Sequence, residues 1–373
     1  MLMRSLRWLL ILSGVIVIVG AIQQKPSLAS PQQGITVVTS YWRYEYDPDS
    51  SFPHRVYVAG EIKNTSGQYL KNVAVRTTLK TASGSEIDHS TEVPLKEALA
   101  PGESTFFHDT IYDDAAFLTS SVDFLAFGDP SNASEYPYLP DPEPLYIHSD
   151  IDGGYITFFG EILNTTEKTW KAHCELCNAA NLIGAYYENG ELVEWHSLGV
   201  APDGHLSPGN RIAFRFSFER VPNGSFKLFS RVEALPDGQY ATTWAVENLQ
   251  WTLQTNSWGS KEVAITARVV NTSDVSAEPN VWFVGRDETG QWIGWTNCFI
   301  WGEIAPGGYK DCSEEILSIN MHVGSPEDIR SVDTLIASSA ISHQPPPTAT
   351  PTITPTPTNT PVPTYIYLPS IVK

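Results

Sequence analysis

Gly60-Glu61-Ile62-Lys63-Asn64-Thr65-Ser66 is a phrase that returns twice in this 373-residue chain. It recurs as Gly160-Glu161-Ile162-Leu163-Asn164-Thr165-Thr166 and as Ala267-Arg268-Val269-Val270-Asn271-Thr272-Ser273. Counting back from each Asn in twos meets Ile62, Gly60, Val58, Val56; then Ile162, Gly160, Phe158, Ile156; then Val269, Ala267, Ile265, Val263. Alternation of period two marks a strand with one buried face. The small residue at one fixed place predicts close packing by a bulky group from the facing sheet. The Asn-Thr that follows fits a turn in which the Asn side chain bonds nearby backbone.

Later landmarks keep step with the phrase. Turn glycines follow at Gly84, Gly190 and Gly290, and Asn189-Gly190 and Thr289-Gly290 read as hairpin turns. Then come Leu99-Ala100-Pro101-Gly102, Leu206-Ser207-Pro208-Gly209 and Ile304-Ala305-Pro306-Gly307. Each Pro-Gly pair fits a type II turn, with Pro setting φ and Gly accepting a positive one. An apolar run closes each copy, at 122–127, 226–232 and 332–337. Each copy thus offers about seven short strands and no amphipathic helix, and two antiparallel sheets face to face are the economical way to bury them. The reading is all-β: three tandem immunoglobulin-like β-sandwich domains over 35–129, 143–235 and 244–341, joined by linkers at 136–144 and 235–244.

These residues resemble the FxLYD family of bacterial extracytoplasmic domains. Gly60-Glu61-Ile62-Lys63-Asn64 and Leu99-Ala100-Pro101-Gly102-Glu103 carry the closest likeness, and the third copy departs from it at Ala267-Arg268. The resemblance implies an immunoglobulin-like fold with no catalytic residues to carry over. The Thr/Pro tract and Tyr-Leu-Pro end also look like the termini of exported, surface-associated bacterial proteins.

The ends give an address. Arg4 and Arg7 precede the uncharged apolar run from Trp8 to Ile22, and Ser27-Leu28-Ala29 fits a cleavage rule. Residues 1–29 therefore read as a helical signal peptide; the alternative is an uncleaved anchor, the one route to membrane contact. Residues 345–364 form a Pro/Thr linker, expected to be a disordered, polyproline-rich stalk. Residues 365–373, Tyr365 to Lys373, form an apolar tag or a docking edge strand. Extracellular or cell-surface localisation follows. The formal charge of −19 becomes −22 once Arg4, Arg7 and Lys25 leave with the signal. Such an acidic chain is repelled by phosphate backbones, so no nucleic-acid partner is expected.

Candidate chemistry is sparse. Four cysteines in an exported chain read as two disulfides. Cys298 and Cys312 are centred on the third Pro-Gly turn, which predicts a bridge across a hairpin, with two free thiols the alternative. Cys174 and Cys177 sit in an insertion of the second copy; a small disulfide loop is the reading, against zinc held with His173 and His196 or His205. Asp150-Ile151-Asp152-Gly153-Gly154 lacks the remaining ligands of a calcium loop and reads as a turn, as do Asp47 and Asp49. No nucleophile, metalloprotease or phosphate-loop motif occurs, so catalytic, metal and cofactor sites are none. Trp195 and Trp295 read as core. Trp282 and Trp292 fall on the opposite parity, exposed for stacking on sugar or packed against the neighbouring unit. The function that follows is a non-catalytic envelope module binding a protein or polysaccharide. A carbohydrate-binding accessory protein and a secreted hydrolase are the alternatives.

Overall fold

The computed structural model describes residues 34–345 except 153, 173–179, 198–199, 220–223, 256, 258, 299, 313–319 and 322–324. The signal segment, most of the Pro/Thr tract, the apolar tag and the Cys174/Cys177 pair all lie outside the described residues. Among the described residues the fold is all-β, with three one-turn 3-10 helices. No helix there is long and apolar enough to cross a membrane.

The first repeat contributes β1 (Ile35–Tyr46), β2 (His54–Asn64), β3 (Tyr69–Lys80), β4 (Glu86–Glu92), β5 (Ser104–Tyr112) and β6 (Ser121–Ser131). The second contributes β7 (Pro144–Asp152), β8 (Tyr155–Leu163), β9 (Leu182–Glu188), β10 (Glu191–His196), β11 (Val200–Ala201), β12 (Arg211–Phe218) and β13 (Ser225–Ser230). After β14 (Tyr240–Ala241), the third contributes β15 (Trp244–Thr255), β16 (Lys261–Asn271), β17 (Asn280–Arg286), β18 (Trp292–Cys298), β19 (Tyr309–Cys312), β20 (Asn320–Met321) and β21 (Ser331–Ala337), and β22 (Ile341–Ser342) returns to pair with β14.

Six sheets of three or four strands result among the described residues. They run β1-β2-β5 and β4-β3-β6, then β11-β12-β8-β7 and β10-β9-β13, then β15-β16-β19 and β20-β18-β17-β21. Each repeat buries one apolar cluster between its two sheets, centred on Ile62, Phe107 and Leu79, on Ile162, Phe214 and Tyr186, and on Val269, Phe283 and Ile293. Two further clusters join repeat to repeat. Ala59 and Phe106 of the first pack on Ile183, Tyr187 and Phe229 of the second. Phe159 and Ala213 of the second pack on Val284, Trp292 and Leu335 of the third. The sheets therefore stack as one pile, and each of the four inner ones carries its own repeat's core on one face and a junction cluster on part of the other. Continuous burial along β9 and the last residues of β8 fits strands with no solvent side, whereas outer β3 alternates.

The repeated phrase has a physical account in this fold. The first strand of every copy carries a register shift beside the phrase: Val37/Thr39 and Pro144/Tyr146 at the same level in the first two, and Glu247/Gln250 one residue along in the third. A Cβ on Gly60 would lie 2.5 Å from the Thr39 carbonyl oxygen and 2.6 Å from the Phe107 ring; on Gly160, 2.2 Å from the Tyr146 carbonyl oxygen and 2.7 Å from Phe214. The bulky neighbour thus comes from the adjacent strand of the same sheet, not from the facing sheet. Phe107 and Phe214 stand directly opposite the glycines in the ladder, and in the third copy Cys312 stands opposite Ala267. A smaller neighbour there leaves room for the methyl group.

The Asn that ends each phrase is a brace. Asn64 is fully buried, donates from Nδ2 to the Leu99, Ala100 and Gln68 carbonyls, and accepts at Oδ1 from the Ser66 backbone and hydroxyl. Asn164 and Asn271 repeat this with Leu206 and Ile304 as the distant carbonyls. The Pro-Gly turn docks on the same residue: Gly102, Gly209 and Gly307 have φ of +79°, +79° and +72°, and donate to the carbonyls of Asn64, Asn164 and Asn271. Buried and bonded at the amide, these asparagines serve the turn and not the surface.

The disulfide joins Cys298 to Cys312 with Cα atoms 5.9 Å apart. It bridges β18 and β19, which belong to the two opposed sheets of the third repeat. The bridge therefore crosses the core rather than a hairpin, since the chain between the two cysteines changes sheets. The expected linkers are likewise packed segments. Tyr138 and Leu235 are buried, and β14 pairs with β22.

Candidate functional site

The strand alternation that sends Ile62 inward sends Glu61 to the opposite face, and the same holds for Ile162 and Glu161. Those faces are the repeat junctions. Glu61 accepts from Lys227 Nζ at 2.6 Å and from the Tyr187 hydroxyl at 3.3 Å, both in the second repeat. Glu161, wholly buried, accepts from Arg286 Nη2 at 2.7 Å and Nη1 at 3.0 Å, both from the third repeat, and from the Tyr146 hydroxyl at 3.1 Å. Burial works against the Arg286 charge, but Glu161 and Asp333 outweigh it and hold the guanidinium above its ordinary pKa. Burial, then Glu61, pushes the Tyr187 phenol up.

The two junctions share further contacts. The Leu192 N–H donates to Thr39 Oγ1 at 3.4 Å, and the Trp292 N–H to the Tyr146 hydroxyl at 3.2 Å. Leu192 and Trp292 each lie two residues past a turn glycine, and Thr39 and Tyr146 each face the phrase's glutamate. Around the polar pairs sit aromatic rings: Phe106 is 5.2 Å from Phe229 and 5.8 Å separates Tyr41 from Trp195; Phe159 is 5.3 Å from Trp292. Lys96, 1% exposed, adds a third tie, reaching Glu103 at 2.5 Å and Asp141 at 2.6 Å. Asp141 also accepts from Ser230 of the second repeat.

These placements revise the tryptophan reading. Trp195 and Trp295 belong to the junctions and not to the cores of their own repeats. Trp292 is 1% exposed and donates from Nε1 to the Gly160 carbonyl, so it has no open face for a sugar. Trp282 is half-buried beside Trp295, with ring centroids 4.1 Å apart. Register shifts at Gly285/Arg286 and Leu192/Glu194 put residues of opposite nominal parity on one face. Among the described residues, the exposed tryptophan of the third repeat is Trp301, at 80%.

Past the edge of the first junction a groove opens, about 310 Å³ in volume. Tyr41, Arg43 and Tyr57 of the first repeat line one side; Glu194, Trp195 and His196 of the second, with Glu219, line the other. Glu194 accepts from the Glu219 backbone N–H at 3.2 Å and pairs with His196 at 3.1 Å. Glu219 also accepts from the Tyr155 hydroxyl at 3.0 Å. Burial, then Glu45, raises the Tyr57 phenol pKa. The groove offers aromatic faces ringed by hydrogen-bonding groups of both kinds. It holds two carboxylates, Glu194 and Glu219, that no motif in the chain marks out.

Among the described residues no group of three or more His, Cys, Asp or Glu is placed to hold a metal ion. Asp150 falls in the β7–β8 hairpin, whose Gly154 has φ of +91°.

No family model matches the chain, and no curated protein matches it. Among solved structures, the crystal structure of dimeric latent PorU from Porphyromonas gingivalis is similar at 10% identity, over 83% of this chain and 34% of that one, with a TM-score of 0.19. The chain thus spans about a third of that protein's length, and a likeness this loose carries no argument.

Proposed function

We propose that the chain is a non-catalytic binding and structural module of the bacterial envelope, exported or displayed at the cell surface. Its described part is read as three immunoglobulin-like sandwiches of the FxLYD type. The observation that carries this reading is the repeated junction: the same glutamate, from the same phrase, clasps the following repeat twice. A chain that spends its repeated residues on fusing units into a pile is a spacer that holds surfaces at fixed positions. The acidic charge, the cross-core disulfide and the signal-like N-terminus are consistent with life outside the cytoplasm. Mass analysis of native protein from surface and cytoplasmic fractions tests it. The expected product begins at Ser30, has Cys298 and Cys312 oxidised, and comes from the surface or medium. A full-length, reduced protein confined to the cytoplasm would sink the reading.

A sugar-binding role is the second reading. Trp282 and Trp292 do not favour it, but the groove beside the first junction does.

A further inference from the structure

We infer that the outer face of the β1-β2-β5 sheet, where it runs past the second repeat, is a platform for an uncharged oligosaccharide chain. The inference deepens the binding-module reading and rests on it.

The groove is the start of a longer surface. Arg43 stands opposite Tyr57 and Glu45 opposite Arg55 in the β1–β2 ladder, and Arg55 stands opposite Tyr112 in the β2–β5 ladder. Alternation puts all of them on the face that Tyr41 and Ala59 present to the second repeat. That face leaves the junction and continues to the strand ends with nothing packed over it among the described residues. The Arg43 guanidinium lies 4.9 Å and the Arg55 guanidinium 5.3 Å from the Tyr57 ring centre, and Tyr112 lies 5.4 Å from Phe52. From Tyr57 to Arg55 the strand advances about 7 Å at about 3.4 Å per residue, and Phe52 and Tyr112 beyond it lengthen the path past one sugar ring.

Exposure marks the platform as a binding surface. Phe52 is 61% and Tyr112 49% exposed and the two are close together, while the rings of the cores and junctions among the described residues are covered. Clustered exposed rings in a soluble fold point to an interaction site. Two exposed rings, Phe52 and Tyr112, beside arginines and carboxylates suit a ligand that is apolar on its ring faces and hydroxylated on its edges. That is the chemistry of a pyranose chain. Trp195 closes the inner end of the path, with Glu194, His196 and Glu219 as donors and acceptors beside it.

Charge selects the sugar class. Arg55 is paired with Glu45 at 2.5 Å and Asp47 at 3.3 Å, and Arg43 with Glu45 at 3.6 Å. With Glu194 and Glu219 added, carboxylates exceed guanidinium groups on and around the platform, on a chain of net charge −19. An acidic polysaccharide would be repelled.

The test uses the full exported chain in affinity electrophoresis and calorimetry. The neutral probes are cellohexaose, xylohexaose, maltohexaose and chitohexaose, and polygalacturonate is the acidic comparator. At least one neutral probe should bind. F52A and Y112A remove exposed side chains and should keep the wild-type melting temperature. Each should weaken binding by about tenfold, while W301A in the third repeat leaves it unchanged. The inference is overturned if no neutral probe binds, if polygalacturonate binds better, or if F52A and Y112A bind as wild type. In those cases the binding-module reading stands, with a different ligand. Release of new reducing ends, lost in E219Q, would instead support the sugar site and overturn the non-catalytic reading.

Discussion

Glu61 and Glu161 occupy one position of one repeated phrase, yet their burial differs in kind. Lys227, the partner of Glu61, keeps 45% of its side chain in solvent, whereas Arg286, the partner of Glu161, keeps 6%. Removing Glu161 leaves the buried Arg286 guanidinium with Asp333, a half-exposed acid, as its remaining carboxylate, at about 3–5 kcal/mol. Glu161→Ala should therefore destabilise the protein by about that amount. Glu61→Ala should cost only about 1–2 kcal/mol, since Lys227 can hydrate. Urea unfolding followed by tryptophan fluorescence checks the order; an equal or reversed cost would remove the clasp account. The asparagines obey a related rule. Asn164→Ala leaves the buried Leu206 carbonyl without its side-chain donor and frees the Thr166 turn, and a loss of about 2–3 kcal/mol is expected by the same measurement. The Asn and its turn are legible in the order of residues alone, because Asx turns are local. The role of the glutamate is not, because its partners across the junctions lie 125 and more residues away.

At the scale of strands and sheets, the glycine of the phrase is set by two neighbours: a bulge carbonyl and a phenylalanine ring. Gly160→Ala would push a methyl into the Tyr146 carbonyl, so a severe loss is expected, at or beyond about 3 kcal/mol. Thermal melting of the variant measures it, and a near-neutral result would mean that the first-strand bulge relaxes. The third repeat departs from the pattern at three linked points, with Ala267 for glycine, Cys312 for phenylalanine, and Cys298 reaching across the core to Cys312. Taken singly, these are a degenerate motif and a cysteine pair. Together they are one replacement, a covalent cross-link where the other repeats use a ring. Cys298→Ala with Cys312→Ala should lower stability by about 3 kcal/mol, from a bridge with a sequence separation of 14. Hydrogen exchange should place the loss chiefly in the third repeat; loss spread evenly would contradict that. Strand alternation is visible in the sequence. The register shifts are not, and they are why Trp292 and Trp295 share a face.

Across the whole molecule, order in the stack explains why the phrase changes at its end. The acid of each of the first two repeats points at the repeat that follows. The third has Arg268 there instead, paired with Asp311 at 2.8 Å and lying over Tyr309, on a sheet that covers nothing further among the described residues. At the other end, Lys80 stands opposite Ser121 and pairs with Asp123, in the register in which Arg286 stands opposite Ser331 and pairs with Asp333. The receiving pair is thus present even in the first repeat of the stack. His205 ties the second junction to solution pH. It is 6% exposed, its backbone donates to the Ser338 carbonyl, and its Nδ1 accepts the Ala172 N–H at 2.9 Å. Burial foremost holds its pKa below the ordinary histidine value. Unfolded, it takes up a proton near pH 6.5; folded, it resists. Its contribution is therefore complete above about pH 6.5 and falls as pH drops, by up to about 1.4 kcal/mol per pH unit until its folded pKa is passed. Melting temperature between pH 7.5 and 5 should fall, and His205→Gln should flatten part of that slope; an unchanged slope would exclude His205 as a source.

What the chain alone determined was everything local or periodic. Alternation and positive-φ glycines depend on a few neighbouring residues, so strands, hairpins and the Asn turn could be read directly from their order. What only the tertiary structure decided was which faces meet. Stacking three repeats turned the second face of four sheets inward, gave Glu61 and Glu161 their partners, buried Trp292, and left the aromatic end of the first sheet uncovered. Those outcomes depend on side chains more than a hundred positions apart being brought within hydrogen-bond distance, and no local pattern in the chain encodes that meeting.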